Sequence, residues 1–152
     1  MVTSTTRFGE VRYEEGDRVT LPAGMLGFPK WREYIVVQHG QGSPFRWLQS
    51  LQEPSLAFLV ANPQDLVADY NPTLSDDDVG SIELTAEDPV LVYVVVTIPP
   101  GNPKAMTANL AGPIIINPKN RLGRQVIVEE SRYGTKHRVL DELKSLSERA
   151  VA

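Results

Sequence analysis

An all-β, antiparallel, barrel-like fold with one short helix and a C-terminal helix follows from three features of the sequence. Short segments rich in β-branched and aromatic residues recur along the chain, clusters of Gly, Pro, Asn, Asp and Ser separate them, and one long stripe at helical spacing appears near the end. The chain has 152 residues, of which 41% are hydrophobic and 22% charged, the balance of one folded domain with a real core. Residues 1–138 are expected to form a single β-barrel-like domain and residues 139–152 a C-terminal helix or tail, with no repeat, linker or second domain.

The elements follow in order. Residues 7–13 (Arg7 to Tyr13) alternate apolar and polar side chains, the pattern of a half-buried strand. Glu15-Gly16-Asp17 makes a turn, and Arg18 to Leu21 can return antiparallel to that strand. Residues 22–29 are too rich in Gly and Pro for regular structure and read as a shaped loop. Tyr34 to Val37 and Phe45 to Leu48 flank Gly40-Gln41-Gly42-Ser43, which predicts a hairpin. Leu56 to Val60 is a further strand, ended by Asn62-Pro63. Ser75 precedes Asp76, Asp77 and Asp78, and this order predicts a helix start. A serine side chain can accept from free backbone N–H groups there, and aspartates oppose the positive end of the helix dipole. Strands are then expected over residues 91–98, 106–110, 113–116 and 125–128, with a Pro-Gly loop at 99–103. Val139, Leu143, Leu146 and Ala150 recur at spacings of four, three and four, one face of a helix.

Charge is placed unevenly. From Trp47 to Pro103 there is no Lys or Arg, while nine acids occur; from Lys104 onward nine basic residues stand against five acidic ones. Such a segment repels nucleic acid, whose binding needs cations on phosphates, and it steers the approach of a basic protein partner. For any one acid, solubility is the simpler reading.

Little in the sequence supplies chemistry. There are no cysteines, so disulfides, thiolate catalysis and Cys-ligated metals are excluded, and a reducing compartment fits. The two histidines, His39 and His137, lack zinc-site spacing and are expected at the surface. Gly40-Gln41-Gly42-Ser43 lacks the Lys-Ser or Lys-Thr of a phosphate loop, and Ser50 and Ser55 lie outside any nucleophile elbow. Asp76-Asp77-Asp78 lacks the Gly and distal Glu of a calcium loop. The expectation is a non-enzymatic protein with no cofactor and no metal. The longest apolar run, Pro89 to Val96, falls short of the roughly 20 residues needed to span a membrane, and the first residues lack the order of a secretory signal. A cytoplasmic location is the expectation.

Several stretches resemble the FliW family. Leu21-Pro22-Ala23-Gly24-Met25-Leu26-Gly27-Phe28 is similar to its opening loop, and Phe45 to Leu51 with Pro54 and the strand to Val60 resembles its most recognisable part. Asp69-Tyr70 resembles an acidic-aromatic step, and Asn109-Leu110 with Pro113 to Asn117 a signature of the family. Gly123 to Val128 with Tyr133 resembles its closing strand. Joint order and spacing over roughly residues 7–138 make the resemblance specific. Asn62 departs from it, since an acid is commoner before that proline. The resemblance implies a flagellar assembly factor that binds flagellin in the cytoplasm and also binds CsrA, an RNA-binding repressor of flagellin translation, relieving that repression. A protein monomeric on its own is expected, and the cation-free segment and short apolar runs predict no direct nucleic-acid or membrane contact. Asp69, Tyr70, Asp76, Asp77 and Asp78 are the expected partner-binding residues. Gly24, Gly27, Phe28, Trp47, Leu48, Gln49, Ser50, Asn109, Leu110, Pro113, Asn117 and Gln125 are family-motif residues given structural parts in core and turns. Two rival readings are a split-barrel flavin-binding enzyme, for which the central strands offer no cluster of phosphate-binding residues, and a structural β-domain with no regulatory partner.

Overall fold

Thr5 closes the first turn of the chain. Its hydroxyl donates to the Gly9 carbonyl (2.9 Å) and accepts from the Phe8 N–H (2.8 Å), while Gly9 adopts a φ of 67° that suits glycine. The turn folds β1 (Val2–Thr5) against β2 (Gly9–Arg12), with Thr5 opposite Gly9 and Val2 opposite Arg12. This corrects the expectation of one strand over residues 7–13 paired with residues 18–21. The alternation there runs through a turn, and the two halves belong to different environments. A 3-10 turn at Glu15–Asp17 redirects the chain, and β3 (Arg18–Thr20) pairs instead with β4 (Glu33–Gln38).

The computed structural model describes residues 1–38, 40, 42–67, 69–85 and 87–139. Beyond β4 the strands and the α-helix of the described residues are β5 (Phe45–Ser50), β6 (Ala57–Ala61), α1 (Asp76–Ser81), β7 (Leu91–Thr97), β8 (Thr107–Ala108), β9 (Ile114–Ile116), β10 (Gly123–Gln125) and β11 (His137–Arg138), with 3-10 turns at Pro63–Asp65 and Pro103–Ala105. All strand pairs are antiparallel. The main sheet runs β10-β9-β7-β6-β5-β4-β3, with β8 bonded to β7 and β11 to β8. Its two ends meet: Thr20 and Leu122 form a parallel bridge, the Thr20 N–H donates to the Arg121 carbonyl (3.0 Å), and Arg121 Nε donates to the Arg18 carbonyl (3.1 Å). A sheet that closes on itself has no long free edge, which gives the barrel-like form.

The expected hairpin is present, with Tyr34 opposite Ser50 and Gln38 opposite Arg46. The closing strand begins earlier than expected, at Gly123, and backbone bonds from Val126 to Pro113 and from Val128 to Ala111 extend its pairing.

Two faces of this sheet are buried. Inside the barrel lie Val19, Leu21, Met25, Tyr34, Leu48, Val60, Ile114 and Ile116. On the outside of β6 and β7, Leu59, Ala61, Val94 and Val96 are covered by Leu66, Val67, Tyr70, Val128, Tyr133 and Val139. A strand buried on both faces has no polar side to show, which is why Leu56 to Ala61 and Leu91 to Val96 read as continuous apolar runs. Burying each such Val, Leu or Ile contributes about 1.5–3 kcal/mol. A third cluster seats Ile82 and Leu84, just after α1, on Ile115 and Val126. Val139 is buried, and the rest of the expected C-terminal helix, Leu143, Leu146 and Ala150 included, lies outside the described residues, as does His39. His137 is partly buried in β11 rather than at the open surface.

Candidate protein-binding surface

α1 is capped as its sequence demands. Ser75 Oγ accepts from the Asp78 N–H (3.1 Å), and all three aspartates occupy the first turn. Asp76 and Asp77 are exposed, whereas Asp78 is half-buried and pairs with Arg124 of β10 (3.4 Å). The cation-free stretch of sequence is thus partly neutralised in space by residues from beyond Lys104. Lys119 reaches Asp88 (3.7 Å), whose carboxyl is held below its usual range chiefly by hydrogen bonds from Thr85, with Lys119 adding to the effect. Arg132 lies close enough to Asp69 to feel its charge. Among the described residues, Asp76 and Asp77 carry no ion pair.

Beside α1 a cleft of about 460 Å³ is lined by Thr73, Ser75, Asp78, Ile127, Glu129 and Glu130. Ile127 is 67% exposed, the most open large apolar side chain among the described residues. Glu130 accepts from the Thr73 N–H and pairs with Arg132 (3.0 Å); the Thr73 bond first, then Arg132, holds its carboxyl below the ordinary range. Asp78, Glu129 and Glu130 thus line this cleft with exposed Ile127, and Asp76 and Asp77 share the first turn of α1 with Asp78. Sequence reasoning missed Ile127, Glu129 and Glu130; the visible signal was an acid pair ending the last strand-like run.

Tyr70 does not belong to that surface. It is 5% exposed, its hydroxyl donates to the Leu110 carbonyl (2.5 Å), and its ring meets Tyr133 edge-on at 4.7 Å. Burial pushes its phenol pKa up, with Tyr133 and Glu130 adding to the shift. The expectation of Tyr70 as an anchor for a partner is corrected: the ring is already spent on the core, and Asp69 alone of the pair faces outward.

The family-motif residues sit where turns meet strands. Gly24, at φ 68°, leaves no room for a side chain, since a Cβ would stand 2.6 Å from the Phe28 carbonyl oxygen. Gly27 has φ 87° and open space around it. Gln125 spans two loops: its Oε1 accepts from the Leu26 N–H (2.9 Å) and its Nε2 donates to the Gly112 carbonyl (2.9 Å), next to buried Pro113. Gln49, fully buried, donates from Nε2 to the carbonyls of Ser50, Pro54 and Leu56, while Ser50 Oγ accepts from the N–H groups of Gln52 and Glu53. Asn109 Oδ1 accepts from the Ala111 N–H (3.1 Å). Asn117 donates to the Ile82 carbonyl (2.9 Å) and accepts from the Lys119 N–H, tying the segment after α1 to β9. Leu48 and Leu110 are core residues; Trp47 is half-buried, with Phe8 edge-on at 5.8 Å and the Arg7 guanidinium 4.2 Å from its ring. Phe28 departs from the structural pattern by being 41% exposed, against Phe58 at 5.4 Å.

Among the described residues no group of three or more His, Asp or Glu could hold a metal ion, and no helix is long and apolar enough to cross a membrane.

Comparison with known proteins covers nearly the whole described chain. A family model described as FliW protein matches residues 2–139. The flagellar assembly factor FliW of Leptospira biflexa is 36% identical over 147 residues, 97% of this chain and 96% of the relative. Those of Geobacter sulfurreducens and Magnetococcus marinus are each 40% identical, covering 93% and 82% of this chain and 88% and 77% of theirs. A crystal structure of the flagellar assembly factor FliW superposes with a TM-score of 0.83 at 33% identity, covering 91% of this chain and 96% of that one. Fold, motif residues and full-length similarity agree, and the chain belongs to the FliW family.

Proposed function

We propose that this chain is a non-enzymatic, cytoplasmic flagellar assembly factor, monomeric on its own, that binds flagellin and alternatively binds CsrA to relieve repression of flagellin translation. The observation that carries the reading is full-length similarity to proteins described as flagellar assembly factors. The chemistry of the surface supports it. An RNA-binding protein presents cations to phosphates, so its antagonist gains from a surface of unpaired carboxylates. Asp76 and Asp77 offer them, and the cleft that Asp78 shares with Glu129 adds exposed Ile127 to exclude water once docked. Asp69 contributes at the margin, and Tyr70 acts only by holding the neighbouring chain in place.

Affinity capture tests the reading. The tagged chain, co-expressed with flagellin and with CsrA from the same source, should retain each, and added flagellin should release CsrA. Retention of neither partner would refute the proposal; retention of both without exchange would refute the switch.

A further inference from the structure

The ladder between β6 and β7 holds two residue pairs, Val60 with Val95 and Ala61 with Val94. β6 nevertheless continues to pair β5 as far as Ala57, and β7 continues to pair β8 through Thr97. The two strands therefore part company, and Ala57 and Phe58 face Thr97 and Ile98 without a ladder between them. A cleft of about 490 Å³ opens there, lined by Arg7, Trp47, Phe58, Leu59, Thr97 and Ile98 among others. Ile98 is 45% exposed, and exposed Phe28 extends the apolar rim by its contact with Phe58. Arg7 is exposed over Trp47, and among the described residues no carboxylate lies within ion-pair distance of it.

We propose that this cleft docks an extended peptide segment of a partner protein, apolar at alternate positions and bearing a carboxylate that meets Arg7. Three features select that occupant. Strand segments that, among the described residues, lack a neighbour on one side offer main-chain donors and acceptors, which an extended chain can satisfy and a helix, its own groups already paired, cannot. Apolar walls of Trp47, Phe58 and Ile98 take alternate side chains, because successive residues of a strand point to opposite faces. Among the described residues Arg7 supplies the one cation of the lining, and a carboxylate completes a charge-assisted bond there. The volume lies within the roughly 300–1,000 Å³ of ordinary ligand sites, enough for a short segment. The proposal rests on the chain being a protein-binding factor, but the cleft shares no lining residue with the one beside α1, and its test uses neither flagellin nor CsrA.

The test is titration of the full chain, followed by backbone amide resonances, with the acetylated and amidated pentapeptide Val-Thr-Ile-Thr-Asp. Saturable shifts are expected at Ala57, Phe58, Thr97 and Ile98. Methylating the two central peptide nitrogens should abolish them, and Ile98→Lys should block the cleft. Arg7→Gln, at an exposed position, should weaken binding about three- to tenfold, and it should have no effect on a peptide ending in Asn. Absence of saturable shifts at millimolar peptide would overturn the proposal. So would shifts confined to other residues, unchanged binding after methylation, or no effect of Arg7→Gln. Concentration-dependent shifts of the same amides without peptide would assign the cleft to a second copy of the chain, and that too overturns it.

Discussion

Tyr70 and Gln125 show how much of the fold depends on single polar atoms. Replacing Tyr70 with Phe keeps the ring against Tyr133 but leaves the buried Leu110 carbonyl without its donor, at a cost of about 1–2 kcal/mol in urea unfolding. The same phenol gives the protein an alkaline limit. Its pKa is raised in the folded state, chiefly by burial, so its contribution is intact below the unfolded value near 10 and is lost as pH rises further. Tyr34, pushed up to about 12 by burial, acts in the same direction. Stability should therefore fall above about pH 10, and less steeply in Tyr70→Phe; a stability curve flat to pH 11 in the parent protein would contradict this. Gly24→Ala should cost about 2 kcal/mol or more, because both its φ and the 2.6 Å approach forbid a Cβ, whereas Gly27→Ala, with open space, should cost nearer 1 kcal/mol. Equal losses by thermal unfolding would mean that the close approach at Gly24 relaxes freely. The part played by Tyr70 was not legible in sequence. An aromatic beside an acid reads as a surface anchor, and its acceptor lies 40 residues away.

At the scale of elements, legibility followed locality. The hairpin of β4 and β5, the strand β6 and the capped start of α1 carry their signals within a few residues: a turn between alternating runs, an apolar run, a serine before three aspartates. Ser75→Ala should accordingly cost about 1 kcal/mol and fray α1 first, seen as faster amide exchange at Asp78 than in the sheet. The first hairpin was hidden for the opposite reason. Its turn is made by the Thr5 hydroxyl and by a positive φ at Gly9, while the alternation of apolar residues continues across it. The acidic character of α1 was legible, yet its degree was not. Arg124 neutralises Asp78 from a strand 46 positions further on, a proximity that only the closed sheet creates.

Over the whole molecule, the barrel gathers scattered family motifs into a frame and, among the described residues, leaves open the acidic cleft at Ile127 and the cleft between β6 and β7. With a net charge of -4, and with Arg18, Lys119, Arg124 and Arg132 engaged by Glu33, Asp88, Asp78 and Glu130, the protein should not retard flagellin leader RNA in a gel at physiological salt unless CsrA is added. Direct tight RNA binding would contradict the assignment of partners. The proposed presentation of the α1 carboxylates to CsrA is read from stopped-flow association at low and high salt. Asp76→Asn with Asp77→Asn, leaving the Asp78–Arg124 pair intact, should slow association roughly two- to fivefold at low salt, flatten its salt dependence and leave dissociation nearly unchanged. A folded double variant that associates with CsrA at the parent rate in both salts would place the partner face elsewhere on the barrel.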